Sequence, residues 1–102
     1  MRLSPAQIEE IRRIVRRLAP RAGFVGLFGS RAEDHRRGGD LDLYLEYPEP
    51  MSLMDQARLA AAIETALGMP VDLEVRDLSA PPRPIEEIAR ATAVPLDACP
   101  PQ

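Results

Sequence analysis

The 102-residue chain has no lysine and no tryptophan, and only one histidine and one cysteine. Without lysine, a P-loop lysine, a Schiff base and a lysine nucleophile are all excluded. Any phosphate chemistry then falls to arginine, backbone N–H groups or a bound metal. The lone cysteine, Cys99, rules out an intramolecular disulfide, and "MRLSPAQIEE" has no signal-peptide stretch, so the cytoplasm is the expected compartment. No apolar run approaches the roughly 20 residues of a membrane span. The length suits one small domain without a second core.

Charge is plentiful but unevenly spread. The net charge is −3. Residues 1–37 hold nine arginines against four acids, and residues 38–102 hold four against twelve. A non-specific DNA binder is usually basic overall, so this balance argues against one, although the arginine-rich first third could face an anionic partner.

Hydrophobic patterning predicts the order α-β-β-α-β-α. "SPAQIEEIRRIVRRLAP" reads as a helix with Ser4 as N-cap, Pro5 at the first position and Gln7 closing a capping box. Its apolar face carries Ile8, Ile11, Val15 and Leu18, and Arg12, Arg13, Arg16 and Arg17 take much of the rest, as a solvated face or a binding surface. "FVGLF" (24–28) and "DLDLYLEY" (40–47) read as strands, the second with Leu41, Leu43 and Leu45 opposite Asp40, Asp42, Tyr44 and Glu46. A second helix runs from the cap Ser52, with Asp55 closing a box, to Gly68. "PVDLEVRDL" (70–78) is a third strand, and Pro84 opens a last helix, "PIEEIARATA". The expected architecture is α+β, a small mixed β-sheet backed by helices. Residues 1–94 form the expected domain and 95–102 a Pro-rich tail, with "VPLDACPPQ" loose or partner-bound.

Three features bear on chemistry. Asp40 and Asp42, at i and i+2 on a strand, share a face with Cα atoms about 6.5–7 Å apart. Their carboxylates can converge on hard divalent cations, although an isolated D-x-D also fits a solvent-facing strand end. "FGS" ends a strand in Gly29–Ser30 before helix-competent "RAEDH". That arrangement offers backbone N–H groups and a hydroxyl to a phosphate, and equally fits an ordinary turn. Asp72, between Val71 and Leu73, could join the aspartates as a metal ligand or a general base, with Glu74 as the competing candidate. Tyr44 could stack on a base or cover the sheet. His35 is expected to be structural or exposed, and Cys99 inert.

Taken together, "FGSRA…HRRGGDLDLYL" and the later "VDLEV" resemble the minimal nucleotidyltransferases of the DNA polymerase β-like superfamily. That pattern runs Gly-Ser, about ten residues, Asp-x-Asp on the next strand, then a lone Asp on a later strand. The resemblance covers residues 24–78 and implies a polymerase β palm-like fold. It implies that Gly29, Ser30, Arg31 and Arg37 contact the nucleotide phosphates, and that Asp40, Asp42 and Asp72 are catalytic carboxylates binding Mg2+, two ions in such sites. The chain departs from the pattern in its loop: "RAEDHRRGGD" is one residue shorter, Glu33 or Asp34 stands where glycine is usual, and Gly39 replaces serine.

With no second core, the acceptor is expected from another chain. The resemblance implies a small helical HEPN-type toxin as partner in a hetero-oligomer. It also implies transfer of AMP from ATP to a hydroxyl of that partner, which neutralises it. The acidified loop supports an alternative, a weakened nucleotidyltransferase-fold module that silences its partner by binding alone. A third reading, nucleic-acid binding by the arginine helix, is opposed by the acidic second half.

Overall fold

A computed structural model describes residues 3–27 and 41–96. Helix α1 (Pro5–Leu18) starts where the sequence places it: the Ser4 hydroxyl accepts from the Gln7 N–H, and the Gln7 side chain accepts in return from the Ser4 N–H. Two orphan amides are satisfied at once, which fixes the helix start. Strands β1 (Phe24–Leu27) and β2 (Leu41–Tyr47) follow, then α2 (Leu53–Leu67), β3 (Val71–Asp77), α3 (Pro84–Thr92) and a short β4 (Val94–Pro95). Helix α2 is capped by the Ser52 hydroxyl accepting from Asp55 N–H, and it ends at Gly68 with φ +72°. Only a residue without Cβ adopts that conformation cheaply.

The four strands form one mixed sheet in the order β3-β2-β1-β4. β1 runs antiparallel to both β2 and β4, and β2 runs parallel to β3. The parallel pair is joined by α2, which is the crossover such a pair requires. Glu64 on α2 accepts from the Val71 N–H at 3.0 Å and so ties the helix to the start of β3.

The sequence suggests that "VPLDACPPQ" is loose or partner-bound, whereas its first residues are part of the fold. Val94 and Pro95 pair with Leu27 and Gly26, and Leu96 is 3% exposed in the core. Gly26 makes that approach possible, because a Cβ there would lie 2.7 Å from the Val94 carbonyl oxygen. A two-residue strand held by a distant partner leaves no local periodicity to read.

The alternation of β2 and β3 divides the sheet into two faces. Leu41, Leu43, Leu45 and Val71 join Ile11, Ile14 and Val15 of α1 and Leu59 and Ile63 of α2 in the core. Fully burying each such side chain contributes about 1.5–3 kcal/mol before the entropy of ordering is subtracted. The even-numbered residues of β2 and β3 take the other face, which α3 partly covers.

Candidate active site

In the parallel register, Asp42 pairs with Asp72, Tyr44 with Glu74 and Glu46 with Arg76. Register partners on adjacent strands lie about 4.8 Å apart and project from the same face. Asp42 and Asp72 therefore stand side by side near the N-terminal ends of β2 and β3. Asp42 is buried, 9% exposed, whereas Asp72 is exposed. Asp40, Gly29, Ser30, Arg31 and Arg37 lie outside the described residues, as do His35 and Cys99. Among the described residues no group of three or more metal-ligating side chains gathers, and Asp42–Asp72 is the part of the expected set that the structure describes.

Glu74, the competing third carboxylate, is engaged elsewhere. Both it and Glu86 are ion-paired with the Arg83 guanidinium, the latter at 2.7 Å. Burial pushes the Glu74 carboxyl above its ordinary range, and the Arg83 charge opposes that rise. Glu74 thus acts as an anchor for α3, and the register sets Asp72, rather than Glu74, beside Asp42.

Tyr44 is fully buried, so it covers the sheet and has no face left to stack on a base. Its hydroxyl donates to the Glu46 carboxylate at 2.7 Å. Burial, helped by this bond and the Glu46 charge, raises its pKa to about 12. Glu46 also accepts from Arg90 Nε at 3.0 Å, and the Arg90 guanidinium stacks 4.2 Å from the centre of the Phe24 ring. Arg76 lies 3.8 Å from Glu46 and has no hydrogen-bond partner for its buried Nε.

Glu86, 4% exposed, accepts from both the backbone N–H and the side chain of Arg83, at 3.0 and 2.8 Å. Burial raises its pKa, but these bonds outweigh burial and leave it below the ordinary value. Glu46, Glu74 and Glu86 with Arg76, Arg83 and Arg90 thus form a charge-balanced layer between α3 and the sheet. Sequence reading misses this layer, because its members come from three elements and only the Arg83–Glu86 spacing is local.

Two arginines of α1 lie mainly in solvent: Arg13 pairs with the half-buried Glu10 at 3.0 Å and Arg16 with the exposed Glu9 at 3.6 Å. Such pairs contribute little to stability. A cleft of about 270 Å³ between α1 and β1, lined by Arg12, Arg16, Phe24 and Pro95, holds neither candidate aspartate and is not the site described here. No described helix is long and apolar enough to cross a membrane.

Comparison with known proteins identifies the family and the fold. A family profile described as "nucleotidyltransferase domain" matches residues 8–94. The structure of a candidate minimal nucleotidyltransferase is 35% identical, covering 88% of this chain and 89% of its own, with a TM-score of 0.68. A chain from a toxin–antitoxin structure with AMP-PNP aligns at TM-score 0.74 and 21% identity, covering 87% of this chain and 71% of its own. A chain from the complex of tri-AMPylated Shewanella oneidensis HEPN toxin with MNT antitoxin aligns at TM-score 0.71 and 19% identity, covering 92% and 71%. At such identities the last two show the shared fold. A comparison with curated proteins gives no match.

Proposed function

This chain belongs to the nucleotidyltransferase domain family, and on that premise we propose that it transfers AMP from ATP to a hydroxyl of a HEPN-type partner and so acts as that toxin's antitoxin. The observation that carries the reading is the in-register pair Asp42–Asp72 on the sheet face away from the apolar core. Two hard oxygen donors side by side, one of them buried, suit Mg2+, which binds through carboxylates. Asp40, Asp42 and Asp72 would hold it. When bound, Mg2+ neutralises phosphate charge and polarises the phosphorus under attack.

The remaining roles fall to the chain's own groups. The backbone N–H groups at Gly29–Ser30 and the Ser30 hydroxyl would cradle the phosphates, with Arg31 and Arg37 adding charge. Asp72 would accept the proton of the acceptor hydroxyl, whose oxygen bonds to the α-phosphorus as pyrophosphate leaves. The neighbouring folds occur in structures with AMP-PNP and with an AMPylated HEPN toxin, which supports the choice of nucleotide and partner.

Incubation with MgATP and the HEPN-type partner of the same genome should raise the partner's mass by one or more AMP units. Asp42→Ala should abolish the gain, and Asp72→Asn should slow it about 10²–10⁴-fold. The absence of any gain with ATP or another nucleoside triphosphate overturns the proposal. The acidic residues Glu33 and Asp34 in the phosphate loop favour the second reading, neutralisation by binding alone. That reading requires Asp42→Ala to neutralise as well as wild type.

A further inference from the structure

Helix α3 is turned the reverse way for a helix lying on a sheet. It buries Glu86 and Ala89 and leaves Ile85 and Ile88 48% and 60% exposed. Its attachment is polar: Arg83 pairs with Glu74 and Glu86, and Arg90 with Glu46 and the Phe24 ring. The isoleucines are therefore not needed to hold the helix down.

Their direction follows from helical geometry. At 100° per residue, Ile85 and Ile88 lie on average about 170° around the axis from Arg90. Arg90 reaches Glu46 and Phe24, a register pair toward the far end of β2 from Asp42. The isoleucines consequently occupy the flank turned toward the Asp42–Asp72 end. Among the described charges of α3 and its cap, Arg83 and Arg90 are spent on Glu74, Glu86 and Glu46, which leaves Glu87 as the exposed charge beside the ridge.

We infer that the Ile85–Ile88 ridge is the docking surface for the acceptor protein, occupied by an amphipathic helix whose apolar side chains lie three and four residues apart with arginine or lysine alongside. Apolar anchors at that spacing fit a two-isoleucine ridge, and basic neighbours complement Glu87. A segment seated there lies next to the carboxylate pair, so binding and positioning of the acceptor are one event. The identity of the acceptor rests on the transferase–partner reading above, whereas the surface does not depend on catalysis.

The test is calorimetric titration of the purified chain with the HEPN-type partner. Ile85→Glu/Ile88→Glu should weaken binding about 100-fold and Ile88→Ala about 10-fold. Glu87→Arg should weaken it several-fold and flatten its salt dependence. Leu53→Glu/Met54→Glu, at the exposed start of α2, should bind as wild type. Circular dichroism on each variant checks the fold, and Ile88→Ala keeps the test open if the double variant unfolds. Wild-type affinity in both Ile88→Ala and a folded double variant overturns the inference. So does loss of binding in the Leu53/Met54 variant, failure of the wild type to bind the partner, or wild-type self-association that Ile88→Ala abolishes. Binding as expected with no AMP transferred overturns the transferase reading and leaves the surface standing. AMP transfer with unaltered binding by the ridge variants overturns the surface alone.

Discussion

The two faces of the sheet are covered by helices held in different ways. On one face, Leu41, Leu43 and Leu45 meet Ile11, Ile14, Leu59 and Ile63, all apolar and nearly all completely buried. On the other, Tyr44, Glu46, Glu74 and Arg76 meet Arg83, Glu86 and Arg90, and the only apolar residue that α3 buries is Ala89. Apolar contacts are non-directional and insensitive to salt. Ion pairs are directional, and where they are exposed they are screened. The face that carries Asp42 and Asp72 also bears Glu46, Glu74 and Arg76 around the Phe24–Tyr44 ring contact, and the helix lying on it attaches mainly through charge. The apolar residues of that helix are then left for another surface.

Four changes test the contrast, in decreasing order of effect. Leu43→Ala, on the apolar face, should destabilise the fold by about 2–5 kcal/mol in chemical denaturation, because it opens a cavity in a fully buried site. Glu86→Ala should cost about 1–3 kcal/mol by leaving the Arg83 N–H without its partner and the guanidinium with Glu74 alone. Its signature should be regional, with amide exchange rising in 84–92 while α1 and β2 stay protected. Arg90→Ala should cost about 1 kcal/mol, the combined effect of a half-exposed ion pair and one cation–π contact. Molar salt should reproduce part of it without affecting the Leu43 side. A cost from Arg90→Ala as large as that from Leu43→Ala would erase the distinction between the faces.

The smallest effects are pH-linked. Glu86 has a lowered pKa in the fold, so its contribution is complete above the ordinary value of 4.5 and is lost as pH falls through the folded value. The raised pKa of Glu74 works the other way and blunts the loss. Acid should therefore loosen α3 only slightly, seen as modestly faster exchange in 84–92. At the alkaline end, the Tyr44 contribution is complete below 10.0 and lost as pH rises through about 12. Ultraviolet titration should show a late tyrosinate step near 12 that disappears in Tyr44→Phe.

Much of the fold is legible locally. Ser4 with Gln7, Ser52, Pro84 and Gly68 mark helix ends through bonds or backbone angles that involve only neighbouring residues. The alternation in β2 and β3 marks their two faces because side chains on a strand reverse at every step. The polar surroundings of α3 are not legible in this way. Periodicity shows two isoleucines at i and i+3, which on an amphipathic helix would ordinarily mark the buried side, whereas here they mark the exposed one. Which side turns inward depends on Glu46, Glu74 and Arg76, which are distant in sequence.

The candidate site divides along the same line. By itself, the sequence determined which residues are candidates for the chemistry, because Gly-Ser, Asp-x-Asp and a later Asp are local patterns, and it determined the elements that carry Asp42 and Asp72. The tertiary structure alone decided that β2 and β3 run parallel with Asp42 opposite Asp72, that Glu74 is taken up by Arg83, and that Val94–Leu96 close the sheet and core. Strand register comes from packing between segments some thirty residues apart, and a one-residue slip would have turned Asp72 to the opposite face.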